Sequence, residues 1–407
     1  MTLERMSGAF LQAYDLRDNS DHILKQYKLA TLSLMLARVV YTINWFNIAS
    51  IFYLIASDFR EDIAMLGIIS ASFLLGVGLF QVPAGIMAAR FGPRKIAIYG
   101  IMIASSAALV TGFASDTAQI IVLRFIIGIG MACFFGPSVI LVSKYLGKES
   151  EGLGIGLLNS AHALGGIVGL FGWVVLAEFV GWRATLILSG GLGISTAIML
   201  GSTLLRDVDE IKKEFKLKVS HVFDTLFNRS LIILGLTLLG FQAGSSMVLT
   251  FSVFYFVDNL KINPIDAGLI GSLSLVVGLL SSPFFGRLYD KIGNARKLLF
   301  ISGILSASSL VGFATDSLYV IIVSIIVTGF FLSAGFVIVY AKAKEINKAL
   351  PQYQTLAVSF VNGVSLFGVF WVPVLFSSIV SELGYEIAWL LGCLVVILLI
   401  LPVVRLK

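Results

Sequence analysis

Three ionisable side chains stand inside long apolar runs of this 407-residue chain: Arg38 in "ARVVYTINWFNIAS", Arg124 in "LRFIIGIG" and His162 in "GLLNSAHALGGIVGLFG". A charge at the centre of a membrane-crossing helix costs about 2.5–3.5 kcal/mol on insertion scales, so each is a candidate functional group. The 23 Asp and Glu all fall at the ends of such runs, in the breaks between them or in the N-terminal tail. An interior with two fixed cations, one titratable histidine and no carboxylate suits an anion, because binding one satisfies a buried guanidinium. A cationic ligand would want a buried acid. The residues alone leave alternatives open. Arg38 either meets an anion or pairs with helix-end carbonyls, and Arg124 and His162 either act or pack. Covalent chemistry has no visible carrier: there is no Ser–His–Asp spacing, metal-ligand cluster or phosphate loop, so neither enzyme, cofactor nor metal is expected. "GVG" (76–78) and "GIG" (128–130) lie inside apolar runs, without the strand–turn–helix setting of a phosphate cradle.

The elements that hold these residues must be membrane helices. Hydrophobic residues make up 58% of the chain and charged residues 13%, against about 25% charged in soluble domains, and mean hydropathy is +0.97. Runs long enough to cross a bilayer fall near 29–57, 64–88, 96–114, 118–143, 152–177 and 184–205, then near 231–257, 265–285, 298–314, 318–341, 353–379 and 385–404. The expected fold is therefore all-α and integral to the membrane, with twelve transmembrane helices in two pseudo-symmetric six-helix bundles. The expected divisions are a tail at 1–28, bundles at 29–205 and 230–405, and a charged linker at 206–229. Of the 29 lysines and arginines, 24 fall on the side of the N-terminus, three (Arg60, Arg183, Lys261) on the other, and two inside spans. This bias places both termini in the cytosol and accounts for the pI of 9.2 without any nucleic acid. The tail lacks a signal peptide's apolar core and cleavage site. Cys133 and Cys393 fall in apolar runs, as packing residues do.

The chain also repeats itself. "GIMAARFGPRK" (85–95) and "GRLYDKIGNARK" (286–297) share Gly85/Gly286, Arg90/Lys291, Gly92/Gly293 and Arg94/Arg296, while Ala89 stands where the second copy has Asp290. "TGFASD" (111–116) and "VGFATD" (311–316) repeat at nearly the same offset. A repeat on this scale marks secondary transporters with a site at the midplane between the halves.

Over its whole length the chain resembles the major facilitator superfamily. The doubled loop resembles that family's "GxxxD(R/K)xGR(R/K)" loop. Arg124 with Gly128 and Gly130 resembles its span-4 motif, and Gly156, Gly165 and Gly169 have the spacing of its span-5 antiporter motif, with Leu170 where that motif has proline. "INWFNIAS" resembles the "DRxN" stretch of the organic-anion branch, with Asn44 and Trp45 at the charged positions.

The resemblance implies alternating access by rocking of two halves, in a multi-pass plasma-membrane protein working as a monomer. Its substrate would be a small organic or inorganic, carboxylate-like anion, driven by its own gradient or coupled to a proton or counter-substrate. Exporters of neutral drugs or metabolites, and a non-transporting sensor or assembly factor on a carrier fold, remain alternatives. The helices that line the cavity in this family offer Trp45, Asn159, Gln242, Ser245, Ser246, Tyr340 and Asn362 beside Arg38. Arg124 and His162 would serve coupling or conformational change. By analogy Asp290 would cap the start of span 5, and Ala89 would face the start of span 11 near Pro351. The Ala89 latch would then be the weaker, favouring the inward-facing state, and Ala89→Asp should shift labelling of cysteine probes at the cytosolic mouth toward closure.

Overall fold

The computed structural model describes the backbone of residues 3–146, 151–204, 227–315, 317–346 and 351–406, and side chains except those of 3–24, 89, 143, 151–156, 351–356 and 359. The described residues are helices and short turns, without a strand. Ten helices are long and apolar enough to cross a membrane. Two of them, Leu157–Thr203 and Phe360–Arg405, run 47 and 46 residues, about twice the roughly 20 that one crossing needs. Each is two spans joined at a glycine of positive φ, Gly181 at 80° and Gly384 at 84°, a backbone region that side chains with a Cβ avoid. The ten therefore make twelve crossings, in agreement with the expected architecture.

The elements are Leu3–Ser50, of which Lys25–Ser50 is span 1, then Ile63–Phe91, Pro93–Thr111 and Thr117–Leu146 as spans 2 to 4. Glu151–Ile167, a π turn at Val168–Gly172 and Trp173–Thr203 carry spans 5 and 6. Spans 7 to 10 are Arg229–Asp258, Pro264–Ile292, Ala295–Ser309 and Leu318–Ile346, while Pro351–Val369 and Trp371–Ile400 carry spans 11 and 12. The expected linker lies almost wholly outside the described residues.

Span 1 differs from its expected extent of 29–57. The helix breaks after Ser50, whose hydroxyl bonds back to the Asn47 carbonyl at 2.7 Å, and a separate helix, Phe52–Phe59, follows. A polar side chain bonding its own main chain competes with the helical ladder, which hydropathy alone does not register.

The helix starts follow local chemistry. Asp62, Asn228, Asn263 and Asn294 each accept from a backbone N–H of the first turn that follows, as N-caps do. Packing inside the first half depends on small residues. A Cβ at Gly128 would lie 2.3 Å from the Phe73 carbonyl oxygen, and one at Gly76 would lie 2.4 Å from that of Phe125. Gly76 and Gly128 are thus the contact of spans 2 and 4, since membrane helices associate through such close approach.

The halves meet on the side away from the termini. Gly67 of span 2 abuts Pro373 and Ser377 of span 11, Gly78 abuts Phe367, and Gly268 of span 8 abuts Leu170 and Val174 of span 5. One continuous apolar cluster there joins Phe52, Ile55, Leu66 and Val174 to Phe251, Phe376 and Val380. A Cβ at Gly85, Gly136 or Gly363 would meet nothing within 4 Å.

Candidate functional site

Arg38 is a buried charge of the first half that keeps two free donors. Its guanidinium lies between two aromatic faces, 4.4 Å from the Tyr41 ring centroid and 4.8 Å from that of Phe135 on span 4. Cation–π contact in a desolvated setting stabilises by about 2 kcal/mol, yet it satisfies no N–H. Arg38 is 6% exposed, and its Nε and one terminal nitrogen are buried without a hydrogen-bond partner. Among the described residues no Asp or Glu is buried, and the ion pairs found, Arg183 with Asp58 and Lys342 with Glu345, lie at helix ends.

Two other expected residues, His162 on span 5 and Tyr340 on span 10, stand near this charge. The Tyr340 hydroxyl donates to Asn362 Oδ1 at 2.9 Å, joining spans 10 and 11. His162 Nδ1 is 2.8 Å from Thr42 Oγ1, one turn above Arg38, and its ring lies 6.0 Å from that of Phe46. Asn159, one turn before His162 on the same face, is exposed. Trp45 packs edge-on against Phe73, with ring centroids 4.7 Å apart. Gln242 is buried, and Ser245 and Ser246 are half-buried on span 7.

Arg124 is placed differently. It donates to the span-1 carbonyls of Asn44 at 3.1 Å and Trp45 at 3.4 Å, and lies 4.2 Å above the Phe73 ring. Its bonds tie span 4 to span 1, although Nε remains unpartnered. Next to it a buried polar strip runs through Asn44 and Asn47, and Asn47 donates to Ser189 of span 6 at 3.1 Å.

In the doubled loop, Gly92 and Gly293 turn the chain at φ 97° and 67°. The basic pair proves to cap a distant helix. Arg94 donates to the Leu204 and Gly201 carbonyls at 2.8 and 2.6 Å, and Arg296 donates to Val404 at 3.5 Å, so each closes the C-terminus of the last helix of its own half. Arg90 lies over Phe91, and Asp290 and Lys291 are exposed. Gly85 and Gly286 have no clash around them. The expected caps of Asp290 on span 5 and of position 89 on span 11 fall on 89, 147–156 and 347–356, outside the described side chains. Tyr289 supplies a tie seen in the second loop, donating to Glu345 at the end of span 10 at 2.7 Å.

The span-5 glycines pack. A Cβ at Gly165 would lie 2.3 Å from the Val39 carbonyl oxygen, and one at Gly169 would lie 3.1 Å from Ile43 Cα. The π turn at Val168–Gly172 lies over this contact.

The family model described as Major Facilitator Superfamily matches residues 34–257 and again 234–407, once for each half. The chain belongs to the Major Facilitator Superfamily. A nitrite extrusion protein of Bacillus subtilis is 26% identical over 381 residues, covering 90% of this chain and 89% of that one. A probable galactarate/D-glucarate transporter of the same organism is 25% identical, covering 69% of each. Among solved structures, a bacterial homolog to the human lysosomal transporter Spinster, inward-facing and occupied, superposes with a TM-score of 0.75 at 17% identity, covering 92% of this chain and 95% of that one. This superfamily protein is accordingly a multi-pass membrane protein of a transporter family.

Proposed function

We propose that this protein carries a small anion across the plasma membrane by alternating access, as a monomer with both termini in the cytosol, and that Arg38 is its substrate contact. The carrying observation is the Arg38 guanidinium, buried with two nitrogens unpartnered and no carboxylate buried among the described residues. A buried charge left unpaired is strongly unfavourable, and an anion entering the site would relieve it. Tyr340, Asn362, Gln242, Ser246, Trp45 and Asn159 would frame that anion. The named relatives support the class, since nitrite, galactarate and glucarate are all anions. Arg124, bonded to span 1, would move with spans 1 and 4 as a unit. His162 is the group beside Arg38 through which proton coupling would run, and uptake by His162→Gln under an imposed pH gradient would test that role.

The test of the whole reading is uptake into liposomes. An anion should enter far faster than its uncharged analogue, Arg38→Ala should abolish that uptake with folding intact, and Arg38→Lys should restore part of it. Equal transport of the anion and the analogue by the wild type would refute the reading.

A further inference from the structure

We propose that His162 is a specificity-determining hydrogen-bond acceptor beside Arg38, so that the anion this site selects is a small hydroxy-carboxylate, not one without a donor. The inference rests on the anion reading above and narrows it.

A count of protons fixes the direction of each contact. Thr42 lies four residues after Arg38, on the same face of span 1. Its hydroxyl has one proton to give. Thr42 Oγ1 lies 2.9 Å from the Arg38 carbonyl oxygen, which can only accept, so the proton goes there. His162 Nδ1, 2.8 Å from the same hydroxyl oxygen, must therefore be the donor in that contact. In the neutral ring Nε2 is then bare and can only accept. With no anion bound, a second positive charge on the ring would sit near the Arg38 cation in apolar surroundings, where like charges repel strongly.

Nε2 has no hydrogen-bond partner among the described residues, and it is not among their sealed, unsatisfied buried atoms. The ring is half-buried, and Asn159 on the same face is exposed, so Nε2 faces reachable space. In this state the Arg38 donors are unpaired and enclosed, while the His162 acceptor is unpaired and open, and Thr42, which meets the His162 ring, lies one turn after Arg38 on span 1. A carboxylate answers the first and a hydroxyl on the same small molecule answers the second. Nitrite answers only the first, and so does a deoxy acid. A site that hydrogen-bonds a substrate hydroxyl discriminates strongly against the analogue that lacks it.

The test is binding to the full-length protein in detergent, followed by tryptophan fluorescence. The probes are L-malate against succinate, L-lactate against propionate, and nitrite. The hydroxy acids should bind at least about 10-fold tighter than their partners. His162→Phe should remove that preference while leaving the deoxy acids nearly unchanged. His162→Gln, whose amide oxygen can accept, should keep part of it, and Thr42→Val, which frees Nδ1, should weaken it without enlarging the side chain. Arg38→Gln should weaken both members of each pair. Equal affinity within the pairs, nitrite as tight as malate, or an undiminished preference in His162→Phe would overturn the role of His162 alone. Failure of all five anions to bind, or affinities untouched by Arg38→Gln, would overturn the anion reading and this inference with it.

Discussion

The two halves of the molecule agree at their corners and differ at their centres. Gly92 and Gly293, Gly181 and Gly384, and the left-handed pair Arg60 and Lys261 occupy equivalent turns, and Asp62 and Asn263 cap the same helix start. At the register of Gly92 and Gly293, Arg38 corresponds to Leu239 and Arg124 to Ile325. The first half therefore carries the fixed interior charge and the second is neutral there, offering Tyr340 and Asn362. Corners are dictated by backbone geometry that any such bundle needs. The centres are free to diverge, so their difference is where substrate chemistry is written.

The shared frame predicts equal responses. Gly128→Val and Gly329→Val should each destabilise by about 1–3 kcal/mol from overpacking, because a Cβ would lie 2.3 Å from the carbonyl oxygen of Phe73 or Ser274 respectively. Thermal unfolding would show two similar losses, whereas a loss in one half alone would break the equivalence. A smaller and unequal pair lies at the caps. Arg94→Gln removes two short bonds and Arg296→Gln one long one, so the first should cost about 1–3 kcal/mol and the second less. Equal shifts in melting temperature would contradict that ranking.

The smallest effect lies on the side away from the termini. Arg183 and Trp182 donate to Asp58, and the Arg183 bond holds its carboxyl below the usual carboxylate range. At the register of Arg60 and Lys261 Asp58 corresponds to Asn259, and at that of Gly181 and Gly384 Arg183 corresponds to Glu386. Because the folded pKa is depressed, the Asp58 contribution is present in full above its unfolded value of about 3.9 and is lost as pH falls through the folded one. Melting curves of wild type and Asp58→Asn should differ slightly near neutrality and converge in acid. A difference that grows in acid would reverse the sign.

Much of this was legible beforehand. The spans follow from hydropathy, the topology bias from the cations, and Arg38, Arg124 and His162 from being ionisable in apolar runs. Tyr41, Thr42 and Phe135 were not legible as site residues, because aromatic and β-branched residues in a span look like packing until a neighbour fixes their phase. The π turn at Val168–Gly172 leaves only glycines as a trace. The caps by Arg94 and Arg296 join residues about 110 positions apart, so the signal, a basic pair repeated in both loops, pointed to topology and not to its target.

The most direct test of the account compares Arg38→Gln with Arg124→Gln in one binding and melting experiment. Arg38 has unpartnered nitrogens and Arg124 holds two span-1 carbonyls. Arg38→Gln should lose anion affinity by about 100-fold, the range of a charge-assisted hydrogen bond, with its melting temperature held or raised. Arg124→Gln should melt earlier and bind within a few-fold of wild type. Anion binding that survives Arg38→Gln and disappears in a well-folded Arg124→Gln would contradict it.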